Sequence, residues 1–167
     1  MKQSLVTLLA ALLTLPGGVV ALDTDELQPT YIEADRVEID DAKGISIYRG
    51  NVVLTKGSIR LLSDLLTVYN AEGETERYVA DGEPATYQQT MEKSRKELLA
   101  KGNKIEYQLA RQIITLTDNA HVLQDGDEFH GDRIVYNMRS NQVQASAEPT
   151  SKERVRMVIQ PRARTTP

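Results

Sequence analysis

Apolar and polar residues alternate at period two along most of this chain, and turn-forming sequence interrupts the alternation about every 7 to 12 residues. Val37 and Ile39 sit between Arg36, Glu38 and Asp40, Ile59 and Leu61 flank Arg60, and Ile105 and Tyr107 flank Glu106. Ile134 with Tyr136, Val143 with Ala145, and Val155, Met157 and Ile159 repeat the rule. Side chains two apart on an extended strand share a face, so this pattern describes half-buried β-strands. Residues 41–44, 49–51, 56–57, 71–73, 81–82, 101–103, 125–126 and 139–141 carry the Gly, Asn, Asp and Ser chemistry of turns. Short antiparallel strands follow. The one stretch outside the pattern is residues 91–100, whose composition suits a helix or a charged loop, with residues 97–101 equally readable as a strand.

The layout is also doubled. Asp35, Asp64, Asn103 and Asp132 each follow a small residue and precede apolar residues two and four positions on. Their spacings of 29, 39 and 29 map the first pair onto the second at an offset of 68. The same offset carries Gly50-Asn51-Val52 onto Asp118-Asn119-Ala120. An even offset preserves strand parity, so both halves turn corresponding positions inward. No Pro/Ser-rich linker separates them, and the expectation is one all-β body built from two copies of a strand–turn module.

The amino terminus does not belong to that body. Lys2 precedes an eleven-residue apolar run, residues 5–15, which Pro16-Gly17-Gly18 ends and Val19-Val20-Ala21 follows. A bilayer core of about 30 Å requires about 20 helical residues, so the run is too short to span. It reads as a cleaved signal peptide over residues 1–21, the alternative being an uncleaved anchor. No Cys follows it, which excludes a lipoprotein anchor. The expected destination is outside the cytoplasm.

Chemistry is scarce. The absence of cysteine removes disulfides, thiolate metal sites and cysteine nucleophiles. There is no nucleophile elbow, P-loop or dinucleotide fingerprint. No Trp is present to serve as a sugar platform for a carboxylate pair. The two histidines, His121 and His130, have no Asp or Glu at metal-ligand spacing with both, and His121 faces away from its apolar neighbours Ala120 and Val122. Asp125, Asp127 and Glu128 around Gly126 lack the twelve-residue calcium pattern and read as a hairpin turn. The expectation is no enzyme, no catalytic residue, no cofactor and no metal. The net charge of −4 argues against nucleic acid. That charge is uneven: residues 22–151 hold 14 basic and 23 acidic groups, a balance of −9, while residues 152–167 carry +4. Within this tail residues 154–160, ended by Pro161, read as a strand that arrives last in the sheet, with Arg154, Val155, Arg156, Met157, Val158 and Ile159 as its candidate docking residues. A last strand lies plausibly at an edge, where another chain can add to it; the other reading is an ordinary terminal strand with a frayed tail.

Pro29-Thr30-Tyr31-Ile32-Glu33-Ala34-Asp35, then Tyr48-Arg49-Gly50-Asn51-Val52-Val53-Leu54-Thr55-Lys56-Gly57, resembles the OstA-like family. Gly82-Glu83-Pro84-Ala85-Thr86-Tyr87, Leu116-Thr117-Asp118-Asn119-Ala120 and Gly131-Asp132-Arg133-Ile134-Val135-Tyr136 continue the likeness over about residues 29–159. The resemblance implies a single twisted, open-ended antiparallel β-jellyroll of about sixteen strands, with residues 22–151 as its body and 152–167 as edge strand and basic tail. It implies a periplasmic bridge that receives lipopolysaccharide from an inner-membrane complex containing LptC and passes it to the outer-membrane translocon LptD, by head-to-tail stacking of jellyrolls. The lipid A moiety would lie in an apolar slot. Family lipid contacts carry over to Thr30, Ile32, Tyr87 and Tyr107. Strand parity adds Ile105, Leu116, Phe129, Ile134 and Tyr136. The residues alone leave open a dry packed core, and two other roles: a secreted carbohydrate-binding module or a self-assembling structural β-module.

Overall fold

The structure, a computed structural model, describes residues 25–91, 96–149 and 154–161. The expected signal peptide and the 151/152 boundary lie outside them. A 3₁₀ turn (Asp25–Leu27) leads into ten strands: β1 (Thr30–Glu33), β2 (Arg36–Asp40), β3 (Ile45–Lys56), β4 (Ile59–Ala71), β5 (Glu74–Thr90), β6 (Glu97–Gln108), β7 (Ile113–Gln124), β8 (Asp127–Asn137), β9 (Gln142–Ser146) and β10 (Arg156–Val158). All pair antiparallel, each long strand with the next in sequence. No helix among the described residues is long and apolar enough to cross a membrane.

Six strands are long, 11 to 17 residues, which departs from the expectation of short strands throughout. The sequences at 49–51, 81–82 and 101–103 do not turn the chain back; they lie inside β3, β5 and β6. The pairing register slips at these places, between Arg49 and Val52, Leu62 and Leu65, Asp81 and Ala85, Lys101 and Lys104, and Thr117 and Ala120. These irregularities form one line across the sheet, a crease. Left-handed residues supply the bend: Gly50 (φ 80°), Asn51 (47°), Asp118 (59°) and Asn119 (58°). The same Gly and Asn residues that close a hairpin also make a bulge, which is why they were read as turns.

β1 and β2 break at Ala34-Asp35 on either side of the crease and both pair with β3; β10 and β9 flank β8 in the same way. The chain thus makes eight passes, each bent once, which accounts for the expected sixteen segments within ten strands. Asp35, Asp64, Asn103 and Asp132, and the Gly50/Asp118 pair, all lie on the crease: the offset of 68 is four passes.

The crease folds the sheet into two leaves. Leaf one comprises residues 30–33, 52–56, 59–62, 85–90, 97–101, 120–124, 127–131 and 156–158; leaf two comprises 36–40, 45–49, 65–71, 74–81, 104–108, 113–117, 133–137 and 142–146. Leu54, Leu61, Tyr87, Leu98 and Val122 of leaf one form a single core with Leu66, Ile105, Ile114, Leu116 and Ile134 of leaf two. Each residue of this set is fully buried, and burying a side chain of this size contributes about 1.5–3 kcal/mol. The alternation therefore placed the inner faces correctly for the middle passes. It misplaced the ends: Val37 and Ile39 on β2, and Val155, Met157 and Ile159 around β10, are exposed because no further strand or leaf covers them.

Candidate functional site

Away from the crease the leaves diverge into an open cleft of about 1120 Å³. Its walls come from both leaves. Ile59 and Phe129 belong to leaf one, and Tyr78, Tyr107 and Val143 to leaf two, with Leu109, Met91 and Met138 from the turns at the mouth. The rim is charged, with Lys56, Lys96 and Arg139 among Asp25, Asp125 and Asp127. Lys96 is paired with Asp125. Apolar walls interspersed with Thr75, Gln89, Gln112, Gln124 and Asn141, below charged groups that also include Glu74, suit an amphiphile with acyl chains inside and polar groups at the lip.

The core continues into the cleft through hydrogen-bonded tyrosines. Tyr87, fully buried in leaf one, stands edge-on to Tyr107 of leaf two at 5.6 Å between ring centres. Its hydroxyl donates to Gln89 Oε1 at 2.8 Å, and Gln89 Nε2 donates to Asp25 Oδ2 at 2.9 Å. Asp25 also accepts from the Ser58 backbone NH (2.6 Å) and hydroxyl (2.7 Å), which straps the 3₁₀ turn to the end of leaf one. At the other end of the cleft the Tyr136 hydroxyl accepts from Gln124 Nε2 (2.7 Å) and donates to Asn141 Oδ1 (2.8 Å), a link between leaves. Burial pushes the Tyr87 hydroxyl well above the ordinary tyrosine range, with smaller contributions from Tyr107 and Asp25. Burial also raises Tyr78, against hydrogen bonds to Thr30 and Thr75, and raises Tyr136 against its bond to Gln124. These phenols stay neutral.

The nine residues expected in the slot fall into three groups. Tyr107 and Phe129 line the cleft. Tyr87, Ile105, Leu116, Ile134 and Tyr136 lie fully buried in the packed core behind it. Ile32 is half-buried against that core, and Thr30 is exposed at the start of β1, beside the Tyr78 hydroxyl. Period-two reasoning identifies the inward face of a strand but not how far along the strand the leaves remain in contact. It therefore missed Ile59, Tyr78 and Val143, which share that inward parity, and it missed Leu109, Met91 and Met138, which lie in turns.

The docking residues Arg154, Val155, Arg156, Met157, Val158 and Ile159 are all exposed. β10 pairs with β8 on one side only, through Arg156 to His130, Met157 to Phe129 and Val158 to Glu128. At the opposite end β1 and β2 pair with β3 alone and expose Tyr31, Val37 and Ile39.

Sequence spacing puts no Asp or Glu at metal-ligand distance from both histidines, yet the fold brings Glu128 beside both. His121 pairs directly across β7 and β8 with His130, and their rings stack at 4.3 Å. Glu128 lies two residues from His130 on the same face, its carboxylate 3.4 Å from His130 Nε2 and 3.8 Å from His121 Nε2. Cross-strand adjacency does not show in sequence separation. The acids at the 125–128 turn otherwise form the expected β7–β8 hairpin.

Comparison with known proteins agrees with this architecture. The family model described as LptA/(LptD N-terminal domain) LPS transport protein matches residues 31–142, more than half of the chain. The chain is 35% identical to the lipopolysaccharide export system protein LptH of Pseudomonas aeruginosa over 149 residues, covering 86% of this chain and 85% of that one. It is 33% identical to lipopolysaccharide export system protein LptA of Escherichia coli over 157 residues, 93% of this chain and 81% of that one. Among solved structures, the crystal structure of LptH, the LptA-homologous periplasmic component of the Pseudomonas aeruginosa lipopolysaccharide transport device, superposes with a TM-score of 0.75 at 34% identity, covering 83% of this chain and all of that one. With a matching fold, a matching sequence over nearly its full length and a cleft between two leaves, this chain belongs to the LptA/(LptD N-terminal domain) LPS transport protein family.

Proposed function

We propose that this protein is a non-enzymatic periplasmic carrier of lipopolysaccharide, holding the acyl chains of lipid A in the cleft between its leaves while the sugars remain at the charged rim. The observation that carries this reading is the cleft itself, open along its mouth and walled by Ile59, Tyr78, Tyr107, Phe129 and Val143 from both leaves, in a chain of the lipopolysaccharide-transport family. Burial of one twelve-carbon chain is worth on the order of 10 kcal/mol before ordering costs, at about 0.8 kcal/mol per methylene. Several chains fully enclosed would dissociate too slowly for transport, so the half-open geometry is suited to partial burial and sliding. The expected signal peptide at residues 1–21 and the description of Pseudomonas aeruginosa LptH as a periplasmic component support the location.

The exposed edges support a bridging role. β1 and β2 at one end and β10 at the other leave backbone groups available to another chain, and both edges carry uncovered apolar side chains. On this reading the protein stacks head to tail with itself and with LptC and LptD, so that clefts join into a continuous trough. Deleting residues 152–167 is then expected to weaken self-association, read by light scattering or sedimentation; an unchanged size distribution counts against β10 as a docking edge.

A photo-crosslinking residue at Tyr107, Phe129 or Ile32 tests the cleft. Tyr107 and Phe129 are expected to trap lipopolysaccharide in cells, and Ile32 to do so if the first strand contributes. Folded variants that give no adduct at both Tyr107 and Phe129 overturn the assignment. Binding of purified protein to lipopolysaccharide, a free fatty acid and a plain polysaccharide separates this role from a carbohydrate-binding or purely structural module.

A further inference from the structure

We propose that His121, Glu128 and His130 form a binding site for a zinc-class divalent transition metal on the outer face of leaf one. The site is separate from the cleft. Inner positions of β7 and β8 in this leaf are held by Ala120, Val122 and Phe129, so the two histidines and Glu128, at the alternating positions, face the other way. Strand geometry brings them together: Glu128 and His130, two residues apart, share a face of β8, and His121 is the cross-strand partner of His130.

The distances suit coordination. All three donor atoms lie within 4.8 Å of one another. A tetrahedral ion with bonds of about 2.0–2.1 Å places its donors roughly 3.3–3.4 Å apart. Glu128 to His130 is 3.4 Å, and Glu128 to His121 is 3.8 Å, a few tenths wide. His121 Nε2 is buried without a hydrogen-bond partner and lies beside the Glu128 carboxylate, beyond hydrogen-bond range. A buried nitrogen with nothing to bond is a cost that a metal would remove. The histidine rings are stacked nearly parallel, at 15°, so their lone pairs do not yet converge. Rotation about the side-chain bonds is required, and the partial exposure of both rings, 23% and 37%, leaves room for it.

The donor set selects the ion. Two imidazoles and one carboxylate suit zinc, copper, nickel or cobalt and are poor ligands for calcium or magnesium. With three protein ligands on a solvent-facing surface, the fourth position falls to water. Two cations flank the triad, Lys101 opposite His121 on β6 and Arg156 opposite His130 on β10. Both oppose a dication, so the site should be moderate in affinity. Its consequence is mechanical: the ion links β7 to β8, the strand on which the docking edge β10 rests.

The test is titration of tag-free exported protein with ZnCl2, followed by calorimetry and by the ring ¹⁵N resonances of the histidines, with MgCl2 as the comparison ion. One equivalent of zinc is expected to shift both histidine rings and to raise the melting temperature, while magnesium does neither. His121→Asn, His130→Asn and Glu128→Gln are each expected to weaken zinc binding at least about tenfold. These positions face outward, and circular dichroism checks that the variants are folded. The ring resonances of the unsubstituted protein give an answer that does not depend on any variant. Histidine rings unmoved by an equivalent of zinc, or equal affinity in the unsubstituted protein and the His121→Asn/His130→Asn double variant, overturn the proposal.

Discussion

Beside the crease, Leu66, Ala80, Ala85, Leu116 and Ala120 are buried to within 2% and the two leaves touch. At the mouth of the cleft, Met91, Phe129, Met138 and Val143 are only partly buried, and the leaves stand apart. The difference follows from how a bent sheet must pack. Close to the bend the leaves are near each other, and small Ala residues beside Leu and Ile fill the gap. Farther out the leaves are joined through Gln124, which donates to Tyr136 and Asn141, and flexible Met residues line the opening, adaptable surfaces for a variable apolar guest. One set of strands thus provides stability at one end and a binding surface at the other.

The largest effect that tests this contrast is on the crease side. Leu116→Ala is expected to cost about 2–5 kcal/mol, measured by urea unfolding, because it leaves a cavity where both leaves meet. Gly50→Ala comes next, at about 1–3 kcal/mol. Gly50 has φ 80°, and an added Cβ would collide with the Asp35 carboxylate, which holds Asn51 Nδ2 at 2.8 Å. A neutral result there would mean that the bend does not depend on its left-handed residues. Phe129→Ala at the mouth should cost less than about 2 kcal/mol, below the usual range for a core substitution, yet reduce lipopolysaccharide capture. If it destabilises as much as Leu116→Ala, the mouth is core and the contrast fails.

The smallest effect is at alkaline pH. Tyr78, Tyr87 and Tyr136 have raised pKa values in the fold. Neutral phenols are favoured by the folded state, so their contribution is complete below the unfolded value of about 10 and is lost as pH rises through the folded values. Stability should therefore fall above about pH 10, and Tyr87→Phe should flatten that fall even where it lowers stability at neutral pH.

How much of this was legible in the sequence depended on the range of the signal. Leu54, Leu61, Ile105 and Ile134 announce their inward faces because alternation is local. The offset of 68 shows the duplication because each pass places its bend at the same point. Gly50, Gly82 and Gly102 misled because a bulge and a hairpin ask for the same residues. Val37 and Met157 read as interior because a strand's pattern does not reveal whether anything will cover it. The pairing of His121 with His130, and the depth of Tyr78 in the cleft, depend on register between strands. That register is fixed by the whole sheet and by no single segment.

The order of pairing has a consequence for how the molecule comes to be. Every long strand binds the one made just before it, so no segment must wait for a distant partner. Each hairpin closes through a short turn, so loop-closure entropy is small at each step. A chain that emerges amino terminus first can add its passes in the order of their arrival, each new strand covering the exposed edge of the last. Among the described residues that progression leaves β9 and β10 at its last edge, as β1 and β2 stand at its first.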